Sequence, residues 1–202
     1  LVDTVGESEL LSKLEIACIN DASTIVLAGS SDLIKEMNKV LDDKNVFNRI
    51  IRGNCPFHSS YQEIIKDEII ERSNKMKFNQ PKIPLISTVL GKEVDTNNYT
   101  SEYWWLNVRE KVLFYDGIRQ LNNIDIFVEL GPHPVLKNNI DNIYSDVEIF
   151  SSSNRKEHSP AVFMLTLANL WAAGNPINYD NFGIPNNTHY PKYCWNHKEF
   201  TN

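Results

Sequence analysis

Along the first fifty residues the apolar positions fall in short bursts cut by turn-forming polar residues. Residues 1–5 have a strand-like pattern and residues 7–14 a short helical one, followed by two apolar runs, Glu15-Ile-Ala-Cys-Ile-Asn20 and Thr24-Ile-Val-Leu-Ala28. The break between them, Asn20-Asp21-Ala22-Ser23, is turn chemistry, because short polar side chains bond back to their own backbone. Ser30, Ser31 and Asp32 then offer caps to a helix with Leu33, Met37, Val40 and Leu41 on one 3.6-period face. Asp43-Lys44-Asn45 ends that helix, and residues 46–51 read as another strand. The order βαββαβ predicts a ferredoxin-like small subdomain over residues 1–54, an antiparallel sheet covered by two helices.

Past Gly53 the pattern changes to longer helices between apolar runs. Tyr61, Ile64, Ile65 and Ile69 predict a helical stripe reaching toward Met76, and Pro81 and Pro84 bracket the exit into a strand over 83–89. The near-continuous run 124–130 predicts a strand buried on both faces, as in a parallel α/β sheet, ended by Gly131-Pro132. Two or three such strands are too few for a doubly wound sheet, so this region is expected to complete a sheet whose other strands lie elsewhere. The fold class is therefore α/β, with an α+β subdomain inserted in it. Ser159-Pro160 opens a helix through Leu165, Ala168 and Trp171 that stops at Gly174. Beyond it Tyr179, Phe182, Tyr190, Tyr193, Trp195 and Phe200 mark an extended segment expected to lie against another surface.

Composition narrows the class without naming a function. With 42% hydrophobic and 23% charged residues among 202, the chain is globular, neither collagen-like, coiled-coil nor wholly disordered. No apolar run approaches the roughly 20 residues of a membrane span, so no membrane partner is expected. Acidic residues outnumber basic ones, 26 to 20, and are mixed along the chain, which argues against nucleic acid and against an RNA-binding βαββαβ module. Cys18, Cys55 and Cys194 are far apart and suggest neither a disulfide framework nor a zinc site, so the expectation is a reducing, cytoplasmic compartment and no metal. The chain begins at Leu1 instead of Met, and a fragment or processed piece is expected.

Candidate chemistry is sparse. Gly6-Glu7-Ser8-Glu9 and Gly29-Ser30-Ser31-Asp32 lack the second Gly of a G-x-S-x-G elbow, so no Ser nucleophile is expected in these residues. Of five histidines, His58 and His133 stand at strand ends or turns. His58, in Cys55-Pro56-Phe57-His58-Ser59-Ser60, follows a strand and precedes a long helix, where a loop side chain either reaches a site or caps the helix. His133, between two prolines, predicts a turn whose imidazole bonds nearby backbone.

Several motifs in series carry a resemblance. Cys18-Ile-Asn20, Phe57-His58-Ser59, the Pro-x-x-Pro-x-Ile-Ser-Thr-Val-x-Gly stretch from Pro81 to Gly91, Tyr103-Trp-x-x-Asn107-Val-Arg109, and Phe-Val-Glu-Leu-Gly-Pro-His-Pro-Val-Leu from Phe127 to Leu136 occur in this order. Together they resemble the acyltransferase domain of modular and iterative type I polyketide synthases. Leu170-Trp-Ala-Ala-Gly174 and Tyr190-Pro-Lys-Tyr193-x-Trp195 look like the linker that follows such domains and wraps back over the ketosynthase. On this resemblance residues 55–152 are the C-terminal part of an α/β-hydrolase-like acyltransferase core and residues 153–202 the post-acyltransferase linker.

The resemblance implies a specific chemistry. In the family an elbow Ser takes a malonyl-type unit from malonyl-CoA, and a His acts as general base and helps pass the unit to the phosphopantetheine thiol of an acyl carrier protein. By motif position that base is His58, oriented by the backbone carbonyl of Asn107, with no carboxylate partner. Cys55, Pro56 and Phe57 fall in the short motif that tracks the extender unit; Phe goes with malonyl, since a ring there crowds an α-methyl branch. Cys55-Pro56 departs from the usual His-Ala or Tyr-Ala, Leu106 stands where Arg is common, and Lys111 where Pro is common. The implied partners are the carrier protein, the ketosynthase and the N-terminal half of the domain. That half holds the Ser, an oxyanion Gln and a substrate-binding Arg in the family, so these residues alone are expected to be inactive. No bound cofactor is implied, the acyl-CoA being substrate. The rival reading is a non-catalytic piece that docks carrier protein or ketosynthase, with His58 doing no chemistry.

Overall fold

The two cap and turn signals near the start decide the first layer. In the computed structural model, which describes residues 9–178 apart from 54, 80 and 96–98, a short helix α1 (Glu9–Ser12) leads into β1 (Glu15–Ile19) and β2 (Ile25–Ala28). The strands pair antiparallel with Ile16 opposite Leu27 and Cys18 opposite Val26, so Ala17 is the extra residue of a β-bulge. In the connecting turn Asp21 Oδ1 accepts from the Ser23 amide at 2.8 Å and the Ser23 hydroxyl at 2.9 Å, as the short polar residues there predict. Helix α2 (Ser31–Asp43) starts where Ser30 Oγ accepts from the Leu33 amide, and it buries Met37 and Leu41 on the expected face.

The strand expected over 46–51 does not form. At the end of α2, Asn45 has φ 55°, its amide donates to the Asp42 carbonyl and the Val46 amide donates to the Leu41 carbonyl, a left-handed helix stop with Asn in the usual Gly position. Asn48 then bonds Asp42, Asn38 and its own neighbour Val46, and these side-chain bonds replace a ladder. Phe47 is left 95% exposed and Ile51 65%. Residues 1–5, the other expected outer strand, lie outside the described residues, so the full βαββαβ order is not seen.

The third strand of this sheet comes from far along the chain. β5 (Val112–Leu113) pairs parallel with β1, Cys18 opposite Val112, giving the order β2-β1-β5. The division expected at residue 54 is therefore crossed by a ladder. Between them lie a 3₁₀ segment (Ser60–Ile65), α3 (Lys66–Ser73), a two-residue hairpin of β3 (Ile86–Ser87) and β4 (Lys92–Glu93), and α4 (Ser101–Arg109). The long strand expected over 83–89 is reduced to that hairpin, whose turn Gly91 closes at φ 64°. The apolar stripe after residue 60 is also rotated. The 3₁₀ first turns have three residues per turn instead of 3.6, so Gln62 faces inward while Ile64 is 90% exposed.

α5 (Phe114–Ile118) follows β5 directly and buries Phe114, and α6 (Lys137–Asp141) buries Ile140. β6 (Ile126–Glu129) pairs only with β7 (Glu148–Ser151) among the described residues. Instead of burial on both faces, Val128 is 39% exposed, and among the described residues the other edge of β6 pairs with no strand.

By contacts the chain divides into two units, one comprising residues up to Glu129 with Pro134–Phe150, the other Leu130–His133 with the residues from Ser151 onward. The second unit contains α7 (Ser159–Ala172), with Pro160 in its first turn and Thr166 Oγ1 donating to the Ser151 carbonyl at 2.7 Å. It stops at Gly174, φ 87°, where the Gly174 amide donates to Trp171 and the Asn175 amide to Leu170, the expected glycine stop. The aromatic segment from Tyr179 on lies outside the described residues. No described helix is long and apolar enough to cross a membrane.

Candidate functional site

The site builds from the loop that joins residue 55 to the 3₁₀ segment. Phe57's amide donates to the Cys55 carbonyl at 3.0 Å, and the Pro56 carbonyl accepts both the fully buried Ser59 hydroxyl, at 2.5 Å, and Gln62 Nε2, at 3.1 Å. Gln62 Nε2 also lies 3.3 Å from Cys55 Sγ. These bonds tie the loop into a knot from which Phe57, 58% exposed, and His58, half-buried, project. Cys55, Pro56, Phe57 and His58 are thus one local constellation.

His58 has φ 59°, in the left-handed region that L residues rarely adopt, and its amide donates to the Val108 carbonyl at 3.1 Å. A strained backbone that tertiary bonds hold in place is a common mark of a functional position. The ring is held as well: Nδ1 lies 2.9 Å from the Glu110 carbonyl oxygen. A carbonyl only accepts, so Nδ1 carries the proton, and in the neutral ring Nε2 keeps its lone pair.

That acceptor corrects the expectation for Asn107. Asn107 lies inside α4, where carbonyls point along the helix axis. Glu110 is the residue that caps α4, with φ −80° and ψ 155°; its amide still donates to Leu106, but its extended ψ swings its carbonyl off the axis toward the loop. α4 itself is seated by Tyr103 and Trp105, both buried, with the Tyr103 hydroxyl 2.9 Å from Ser87 Oγ on β3. The Thr100 hydroxyl caps its first turn by accepting from the Tyr103 amide.

Charges surround this arrangement. Glu15, on β1, accepts the Ser60 amide with both oxygens at 3.0 Å and also binds the Ser60 hydroxyl. Arg109 Nε donates to Glu63 at 2.7 Å and its Nη1 lies 3.6 Å from Glu15. The hydrogen bond to Glu63, supported by the negative fields of Glu110, Glu15 and Glu63 and only partly offset by burial, holds the Arg109 guanidinium above its ordinary pKa, and it remains charged. Gln62 and Glu15 have no site role in the sequence reading, and Arg109 enters it only as the last residue of the Tyr103–Arg109 motif. Gln62 is a polar residue in a helix start among Tyr61, Ile64 and Ile65; nothing local points Glu15 and Arg109 to this role, since their partners are 45 and 46 residues away.

The other titratable candidates do different work. Burial pushes the Cys18 thiol up, only partly offset by the Val112 backbone bond, so it is a packing group and not a poised thiolate. His133 Nδ1 lies 3.1 Å from Asn154 Oδ1, a side-chain partner instead of the expected backbone one. The turn before α6 is closed by Glu129, whose carboxylate accepts the Val135 and Leu136 amides. Among the described residues no three His, Cys, Asp or Glu side chains converge as a metal site.

Comparison with known proteins now bears on this geometry. The sequence matches the acyl transferase domain family over residues 8–168. Probable polyketide synthase 23 of Dictyostelium discoideum is 33% identical over 187 residues, which cover 83% of this chain and 8% of that protein. The acyltransferase domain from the second module of the salinomycin polyketide synthase superposes with a TM-score of 0.78 at 24% identity, over 90% of this chain and 43% of that one. The malonyl CoA-acyl carrier protein transacylase from Clostridium perfringens gives 0.67 at 20% identity, over 80% and 51%. The chain thus spans only a small part of the polyketide synthase and about half, or less, of each solved enzyme. These two structural likenesses establish a mixed α/β acyltransferase fold, and with the family match over most of its length, the chain belongs to the acyl transferase domain family as found in type I polyketide synthases.

Proposed function

We propose that these residues supply the general base and one wall of the cleft of an acyl transferase. The enzyme moves a malonyl-type unit from CoA to the phosphopantetheine thiol of an acyl carrier protein, through an ester on a Ser outside this sequence. The observation that carries the reading is the 2.9 Å bond from His58 Nδ1 to the Glu110 carbonyl, which leaves Nε2 free to accept a proton. A serine hydroxyl is a weak nucleophile until such a base takes its proton, and neutral imidazole has an ordinary pKa near 6.5, close to working pH. Nε2 passes the Ser proton to the departing CoA sulfur as the ester forms; when the ester is later attacked by the carrier thiol, the same nitrogen accepts the thiol proton and gives it to the departing Ser oxygen.

Glu110 gives its carbonyl and not its carboxylate to His58, so the reading is a Ser–His dyad whose third group is backbone. Cys55, Pro56 and Phe57 stand on the same loop as the base, which supports their role at the part of the cleft that meets the acyl α-carbon. The remaining groups of the reaction, the Ser, an oxyanion donor and a cation for the malonyl carboxylate, belong to the preceding half of the domain in this reading, and the ketosynthase lies beyond it. Substituting His58→Ala in the complete domain tests the base: transfer to carrier protein is expected to fall by roughly 10²- to 10⁴-fold with the melting temperature unchanged. Transfer at the normal rate would overturn the assignment.

A further inference from the structure

The ion pairs Lys13–Glu9, Lys35–Asp32, Arg72–Glu68, Lys75–Glu71 and Lys137–Asp141 are exposed contacts three or four residues apart within single helical segments. Such pairs contribute little. The Glu15–Arg109–Glu63 cluster differs in kind. Its bonds join β1, the end of α4 and the 3₁₀ segment, and the Arg109 side chain is only 22% exposed. Its place relative to His58 is equally specific. Arg109 immediately precedes Glu110, the acceptor for Nδ1, while Ser60 and Glu63, which Glu15 and Arg109 hold, closely follow His58.

The Glu110 carbonyl needs such a fastening. Its own amide makes the last bond of α4, but its carbonyl lies outside the helix ladder and its direction depends on the torsion at ψ 155°. On the far side, the pairing of Val112 with Cys18 fixes the chain to β1. On the near side Arg109 ties the helix end both to β1, through Glu15, and to the segment after His58, through Glu63. The planar guanidinium suits this double task, because it presents donors in a rigid fork.

Resting on the reading of His58 as the base, we propose that Arg109, clamped between Glu15 and Glu63, is a positioning residue that keeps the Glu110 carbonyl on His58 Nδ1 and so keeps the ring in the tautomer whose Nε2 is unprotonated. Which imidazole nitrogen carries the proton follows from the bond the other makes, and losing that bond lets the proton reside on Nε2, where the ring no longer accepts one.

The test uses the complete acyl transferase domain with Arg109→Ala, Arg109→Lys and Glu15→Gln. Nitrogen-resolved NMR of the His58 ring is expected to show the Nδ1–H tautomer in the unaltered domain and a mixture in Arg109→Ala. With it, kcat falls roughly 10- to 100-fold while KM for the acyl-CoA changes less than about twofold. Arg109→Lys, which keeps the charge but not the fork, recovers part of both signals. Glu15→Gln, which keeps an oxygen for Ser60, weakens them mildly and serves as the reporter should Arg109→Ala fail to fold. An unshifted tautomer in Arg109→Ala, or in Glu15→Gln where that variant is the reporter, would overturn the clamp. So would a raised KM with unchanged kcat, which would put Arg109 on the substrate. If instead His58→Ala transfers normally, the base reading fails by itself, while the ring tautomer still decides whether the clamp orients His58.

Discussion

His58 and Glu110 are 52 residues apart in sequence, yet Nδ1 of the one donates to the backbone carbonyl of the other at 2.9 Å. The pairing uses the place where a helix stops: the residue that caps α4 is extended, and its carbonyl is free to serve a side chain instead of the helix. Because the partner is backbone, the orientation of the His58 ring does not depend on the carboxylate at position 110. Glu110→Ala is accordingly expected to leave the His58 tautomer unchanged.

Phe57 shares the loop of His58 and projects from it, 58% exposed. If its ring excludes an α-methyl branch, Phe57→Ser in the complete domain should raise the ratio of kcat/KM for methylmalonyl-CoA over malonyl-CoA by about 10-fold or more, the scale that one methyl group sets in a pocket. An unchanged ratio would remove Phe57 from extender choice.

Gly91 closes the β3–β4 hairpin at φ 64°, and a Cβ there would lie 3.0 Å from Asp116 Cβ and 3.3 Å from Leu113 Cδ1. Gly91→Ala therefore meets both a left-handed backbone and a close contact, and is expected to cost at least about 1–2 kcal/mol in urea denaturation of the complete domain. Wild-type stability would show that the hairpin relaxes freely.

Asp21 is 2% exposed in the β1–β2 turn, and its second oxygen accepts from Asn142 Nδ2 at 3.1 Å. Burial is the largest influence and pushes its carboxyl up, but bonds from Asn142, the Ser23 amide and the Ser23 and Thr24 hydroxyls together outweigh it and leave the pKa below its ordinary value. A depressed acid stabilises the fold above its unfolded pKa of about 4, and that contribution is lost as pH falls through the folded value. The stability gap between the wild-type domain and Asp21→Asn is thus expected to be full at pH 6–7 and to shrink below about pH 4. A gap that stays constant down to pH 2 would contradict the shift.

What the sequence made legible was local. The Asn20–Ser23 turn, the cap at Ser30 and the stop at Gly174 follow from residues bonding their near neighbours, and all three formed as read. The loop carrying Cys55, Pro56, Phe57 and His58 was also found, because motif and position both marked it. Features set by competing bonds or by distant neighbours were misread. Val46, Phe47, Ile50 and Ile51 have strand composition, but the stop at Asn45 and the bonds of Asn48 claim the backbone first. The Nδ1 acceptor was assigned three residues early, since nothing in the spelling of Asn107 to Glu110 says which carbonyl leaves the helix axis. The Arg109 clamp had no local signal, as each of its partners comes from another element.

The most direct measurement is of the first half-reaction. Intact mass of the complete domain, sampled within seconds of mixing with malonyl-CoA, should show one added malonyl unit in the unaltered protein. In His58→Ala, folded as judged by its melting curve, acylation should be slower by at least roughly 100-fold. Equal rates of malonyl gain in the two proteins would contradict the claim that His58 is the base.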